Sequence, residues 1–203
     1  MLPIIGYHIV ISTYGFWLPN DPRGSGSNRV WSPQLQKFGE ATKVHTTHSV
    51  AHLAQTPAAW ANNREAKTEL KYPAVIFDGK QALAVVKGFE KAIADGGYDV
   101  FACSIMPEHV HLVCGTIPYN IVQVVRLLKQ RATQELTAQG LHPNVHAVGV
   151  RANCKLPPVW GENFWKRFIY DENDLSDTIR YVENNPVKEG KKPQRWSFVK
   201  QLD

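Results

Sequence analysis

The chain has no apolar run approaching the roughly 20 residues that a membrane-spanning helix needs, so a membrane protein is not expected. Met1-Leu2-Pro3-Ile4-Ile5-Gly6-Tyr7-His8 has neither the charged start nor the long apolar stretch of a secretory leader. Cysteine is scarce, with Cys103, Cys114 and Cys154 showing no paired spacing. That argues against a Cys-based zinc site and a disulfide scaffold, and fits a reducing, cytoplasmic setting. There is no internal repeat and no low-complexity tract. An acidic excess is also absent: 23 Lys and Arg against 18 Asp and Glu leave a formal charge of +5. That balance suits a polyanionic partner, although a slightly basic enzyme would show it too.

Hydrophobic residues make up 43% and charged residues 20% of 203 positions, values ordinary for a globular protein. One domain over 1–203 is expected, with a long insertion at about 15–75. Ile4 to Thr13, rich in β-branched residues, predicts the first strand. Gln81 to Asp95 carries Val86, Phe89 and Ile93 at helical spacing and stops at Gly96-Gly97. Tyr98 to Ile105 and His109 to Cys114 read as an antiparallel strand pair about the Pro107-Glu108 turn. Ile121 to Ala138 predicts a helix whose Val124, Leu127, Leu128 and Leu136 can face a sheet. Val159 to Tyr170 reads as a strand or short hairpin, and Asp174 to Asn184 as a last helix ended by Pro186.

The stretch with chemistry in it is Met106-Pro107-Glu108-His109-Val110-His111-Leu112-Val113. Side chains alternate across a strand, so His109 and His111 share one face, roughly 7 Å apart, while Val110 and Leu112 enter the core. Two imidazoles can chelate an ion, yet a catalytic centre needs a further ligand. Glu108 points to the opposite face. On the last helix, Leu175, Ile179 and Val182 form the buried stripe, and Tyr181 lies at its border. Asn185, four residues on, shares the side of Tyr181, and its amide oxygen could complete a His-His-Asn set, with Asn184 as a less well-placed rival. Such a set with open positions fits Mg²⁺ or Mn²⁺ on a phosphate, the nitrogens favouring Mn²⁺. A tyrosine attacking that phosphate would leave a covalent 5′-phosphotyrosine link and preserve the bond energy for rejoining.

Other polar features divide between function and ordinary structure. Trp17, Arg23 and Arg29 lie in a loop rich in Gly, Pro, Asn and Ser, which suits single-stranded nucleic acid or a long turn with Trp17 plugging the core. Arg126, Lys129 and Arg131 form a basic helix face that could track phosphates or simply be solvated. His8 on the first strand reads as a half-buried strand histidine rather than a ligand, since no partner lies near it in sequence. His45, His48 and His52 would share a helix face, but a structural zinc site would want cysteine or a fourth ligand nearby.

The His109-Val110-His111 segment resembles the HUH motif of single-tyrosine transposases. Tyr181-Val182-Glu183-Asn184-Asn185-Pro186-Val187-Lys188-Glu189-Gly190 is similar to that family's tyrosine, Asn-Pro-Val-Lys/Arg, glycine ending. REP-associated tyrosine transposases and their insertion-sequence relatives are the group resembled. Tyr7-His8-Ile9-Val10, Trp160 to Phe168 and Arg195-Trp196-Ser197 fit it as well. The resemblance implies a ferredoxin-like α/β sandwich with an antiparallel sheet. It also implies metal-dependent nicking and joining of single-stranded DNA with recognition of hairpin ends. Carried over by motif, His109 and His111 are metal ligands, Tyr181 is the nucleophile and Asn185 occupies the third-ligand position. Lys188 joins the DNA-binding candidates. A nucleoid-associated protein is implied, acting as a monomer or a homodimer.

Two other classes compete. A domesticated protein would hold DNA hairpins without cutting them, though no residue of the motifs is obviously lost. A phosphoesterase unrelated to mobile DNA would want more carboxylate and histidine ligands than the neighbourhood of His109 and His111 offers.

Overall fold

A computed structural model describes residues 3–44, 56–147 and 156–202. His45, His48, His52 and Cys154 lie outside them. The chain divides into two compact units, one of Met1–Ser12, Ile76–Pro143 and Glu162–Asp203, the other of Thr13–Val75 and Asn144–Gly161.

The first unit is built on β1 (Gly6–Ser12), with β2 (Val100–Ile105), β3 (His109–Cys114) and β4 (Trp165–Ile169) in the order β2-β3-β1-β4. Every neighbouring pair is antiparallel. Together with the long helices Gly79–Gly96 and Ile121–Ala138, the chain order is βαββαβ, the ferredoxin-like arrangement. Alternation then sorts the sheet residues. Tyr7, Ile9 and Ile11 pair with Cys114, Leu112 and Val110, while His8 and Val10 pair with Val113 and His111. Ile9, Ile11, Val110 and Leu112 are fully buried on the first of these faces.

In chain order the helices are a single turn, α1 (Pro33–Gln36), and α2 (Pro57–Thr68) in the second unit. The first unit carries α3 (Gly79–Gly96), α4 (Ile121–Ala138) and α5 (Glu172–Lys188). Asp78 starts α3 with a capping box, accepting from Gln81 N–H while the Gln81 side chain accepts from Asp78 N–H. Gly97, at φ 62°, ends it in the left-handed conformation that glycine enters without penalty. Helices α3 and α4 pack tightly on each other. A Cβ at Gly88 would lie 2.4 Å from Ala132 Cα, so only glycine permits this approach.

Helix α5 covers the opposite face. Leu175 and Val182 bury against Ala102, Val113 and Ile169, with Ile179 packed alongside, so the predicted stripe is the contact surface. The helix runs further than its proline suggested: Pro186 lies inside it and is buried. In the last turn a proline removes one N–H and one intrahelical bond, which the packing of that turn outweighs. The stop is Gly190 at φ 70°. Lys191 N–H bonds to Pro186 O (2.8 Å) and Gly190 N–H to Val187 O (2.9 Å), a Schellman closure.

Beyond α5 the chain returns along β2, whose outer edge would otherwise expose unpaired backbone. The Gln194 amide accepts from Ile105 N–H at 2.7 Å and donates to Ile105 O at 2.8 Å, as a neighbouring strand would. Trp196 Nε1 donates to Cys103 O (3.2 Å) and Lys200 N–H to Val100 O (2.8 Å).

The second unit has its own small core of Leu18, Val30, Leu35, Phe38 and Ala66. Arg23 grips the fully buried Asp21 through Nε (2.8 Å) and Nη2 (2.9 Å). No helix among the described residues is long and apolar enough to cross a membrane.

Candidate functional site

The face of the sheet under α5 is apolar at one end and polar at the other. Near the start of α5 it carries Val113, Ala102 and Ile169. Further along, the same parity places Ser12 opposite His109, and both Val10 and Ser104 opposite His111. The β-sheet pairing therefore concentrates the polar side chains at the end reached by the last turns of α5.

His109 and His111 form the expected same-face pair, their rings 4.9 Å apart between centroids. His111 is buried and His109 half-buried. The Tyr181 ring sits 5.7 Å from that of His111, edge-on. The docking of α5 on its own sheet thus joins the two motifs within one chain. Tyr181 is nevertheless 44% exposed. Lys188, two turns along the helix, places its ammonium 4.9 Å from the Tyr181 ring centroid.

His8, expected as a half-buried strand histidine, is instead buried and has a partner. It is 6% exposed, and its Nε2 lies 3.0 Å from His111 Nδ1. Its ring also meets Tyr181 at 6.0 Å and Trp165 at 5.3 Å. The missing partner is His111, 103 positions away along the chain. Across the β1–β4 pair from His8 stands Arg167, which donates to both carboxylate oxygens of Asp174 (2.8 and 2.7 Å) and to Thr178 Oγ1 (2.6 Å).

Burial is the main force holding His8 at about 4, with the Arg167 charge adding to it and Asp174 opposing. Burial likewise drives His111 far below its usual range, with His109 and His8 contributing. Both imidazoles are therefore neutral at neutral pH, the form that coordinates metal.

Asn185 is 8% exposed on the side of α5 that carries Tyr181, and its Nδ2 has no hydrogen-bond partner among the described residues. Ser104 Oγ, on the strand beside His111, is buried and equally unpartnered. An orphaned buried amide is costly, and rotating its terminal torsion presents either the nitrogen or the oxygen. Asn184 is exposed. Among the described residues no three His, Cys, Asp or Glu side chains are placed to hold a metal ion. A metal at this face would thus draw on two imidazoles and neutral oxygen donors, which is the His109, His111 and Asn185 set. Two nitrogens with a hard amide oxygen and open positions suit Mn²⁺ or Mg²⁺.

The remaining candidates are dispersed. Trp17, Arg23 and Arg29 belong to the second unit. Trp17 is 37% exposed and donates through Nε1 to Gly24 O at 2.5 Å, while the Arg23 guanidinium lies 4.1 Å from its ring centroid. Arg29 sits over the exposed Trp31. On α4, Arg126 is exposed, Arg131 is paired with Asp95 at 2.6 Å, and Lys129 Nζ donates to the carbonyls of Glu162 (3.3 Å) and Asn163 (3.2 Å).

No family model matches the chain. A solved structure described as a REP-associated tyrosine transposase bound to a REP hairpin aligns with all of this chain and 96% of its own, at 12% identity and a TM-score of 0.47. A putative transposase from Deinococcus radiodurans aligns over 91% of this chain and 92% of its own, at 14% identity and a TM-score of 0.38. In sequence, the chain is 27% identical over 95 residues to a Haemophilus influenzae protein named "Putative REP-associated tyrosine transposase". The match spans 46% of this chain and about half, 52%, of that relative. Over that part of its length the chain is similar to a REP-associated tyrosine transposase, the group that its histidine and tyrosine motifs resemble.

Proposed function

We propose that the protein nicks and rejoins single-stranded DNA at hairpin ends, through a covalent bond between Tyr181 and a 5′ phosphate. The observation that carries this reading is the packing of the Tyr181 ring against His111 and His8 on the face of the histidine pair. In the forward step Tyr181 Oη loses its proton and bonds to phosphorus. The bond from phosphorus to the 3′ oxygen breaks, and that oxygen leaves and takes up a proton. Rejoining is the same exchange in reverse, with a 3′ hydroxyl attacking and Tyr181 leaving, so no external energy source is required. His109, His111 and Asn185 would hold Mn²⁺ or Mg²⁺. Such an ion would polarise the scissile phosphate and stabilise the departing oxygen. The Lys188 ammonium, 4.9 Å from the Tyr181 ring centroid, offers a positive charge to an incoming phosphate. The exposure of Tyr181 leaves room for a strand to approach.

The test is a hairpin oligonucleotide labelled at its 3′ end and incubated with Mn²⁺. The unaltered protein should become covalently labelled. Tyr181→Phe should form no adduct while still shifting the hairpin in a gel. Adducts retained by the Phe variant would remove Tyr181 from this role. Hairpin binding by the unaltered protein with no nick at any metal concentration would favour a binding protein that does not cut.

A further inference from the structure

We propose that His8 is a positioning residue for His111: its Nε2 accepts the Nδ1 proton of His111, which turns the bare Nε2 of His111 toward the metal position. The inference rests on the reading of His109 and His111 as metal ligands. A neutral imidazole carries one proton, so a metal-ligating histidine is usually fixed by what its other nitrogen donates to. Here that partner is a second histidine.

The geometry excludes an ion shared between the facing nitrogens of His8 and His111. The His8 and His111 rings are tilted by only 24°, with centroids 5.3 Å apart. The Nε2 to Nδ1 distance is 3.0 Å. The centroid separation equals that distance plus the two ring radii, so the nitrogens meet end to end in line. An ion between them would need two bonds of about 2 Å each in that line, and the gap is too short. A shared proton fits it.

Direction follows from the ligand role of His111. Were His8 to donate, the single proton of a neutral His111 would sit on Nε2 and block coordination. Arg167, paired with His8 across the strands, is fixed by Asp174 and Thr178. Trp165 and Tyr181 meet the His8 ring edge-on and hold its plane.

The first readout is ¹⁵N NMR of the histidine rings in metal-free protein, which tells the two tautomers apart. His111 should carry its proton on Nδ1. A proton found on Nε2 overturns the proposal, whatever the protein does with DNA. The second is Mn²⁺ affinity by titration calorimetry, with electron spin echo counting the coordinated nitrogens. His8→Phe should lower affinity by about 10- to 100-fold, the usual effect of removing such an orienting partner. His8→Gln, whose side-chain oxygen can accept in place of Nε2, should restore most of it. Two bound ring nitrogens are expected, and three would make His8 a ligand and overturn the proposal. So would a loss smaller than about tenfold in a folded His8→Phe protein. If His8→Phe does not fold, the tautomer in the unaltered protein decides. Failure to bind Mn²⁺ with His111 protonated on Nδ1 would refute the metal reading and leave the hydrogen bond standing.

Discussion

Replacing Asn185 with leucine should make the metal-free protein more stable and the site inert. Asn185 is buried, and its Nδ2 lacks a hydrogen-bond partner among the described residues. A buried polar group left unsatisfied costs about 1–3 kcal/mol. Leucine has a similar volume and no such penalty, and the neighbouring Val182 and Pro186 are themselves buried. Allowing for imperfect fit of the branched chain, the gain should be about 1–2 kcal/mol. At roughly 2–4 °C per kcal/mol for a domain of this size, the melting temperature should rise by about 2–8 °C. Urea unfolding in EDTA would show it as a higher midpoint with an unchanged slope. Adding Mn²⁺ should reverse the order. At 100 times its dissociation constant a ligand adds about 2.7 kcal/mol to the unaltered protein, and the Asn185→Leu variant should gain far less. Asn184→Leu, at an exposed neighbour, should change neither quantity. An Asn185→Leu protein less stable than the parent in EDTA by more than about 1 kcal/mol would refute the reasoning. It would mean that the amide is structurally satisfied. Equal Mn²⁺ stabilisation of both proteins would remove Asn185 from the metal site.

Three further outcomes follow from the packing. Gly88→Ala should destabilise by about 2 kcal/mol in chemical denaturation, because the added Cβ meets Ala132 backbone at 2.4 Å, a clash larger than the gain in helix propensity. Gln194→Ala removes both hydrogen bonds to Ile105 at the β2 edge, and should lower stability by about 1–2 kcal/mol and speed amide exchange along that edge. Burial lowers the Lys129 ammonium to about 8, with Glu162 opposing. The unfolded chain then binds more protons than the native state between about pH 8 and 10.4. The contribution of this lysine therefore becomes more favourable as pH rises through that window. The melting-temperature difference between the unaltered protein and Lys129→Met should shift in favour of the former from pH 8 to 10, and a difference that stays flat would contradict the shift.

Much of the fold could be read along the chain because its signals are local. The helix at 121–138 has the predicted bounds, set by apolar spacing and by Asn120, whose side chain accepts from Val122 N–H. The helix at 79–96 likewise has a capping residue at one end and a glycine at the other. Pro186 misled because the restriction it imposes is also local, whereas the burial of the last turn of α5 is not. The shared face of His109 and His111, and the shared helix side of Tyr181 and Asn185, were legible because strand and helix periodicities assign faces within one element. The grip of Arg23 on the buried carboxylate of Asp21 was not, because it depends on that carboxylate being buried by the fold of the loop.

By itself, then, the sequence determined which residues could share a face: two histidines on a strand, a tyrosine and an amide on a helix. Only the tertiary structure decided which faces meet. It set β1 beside β3, bringing His8 within 3.0 Å of His111, and laid α5 across the same end of the sheet. The physical reason is range. Periodicity acts over a few residues, whereas strand pairing and helix docking are settled by the burial of the whole apolar surface.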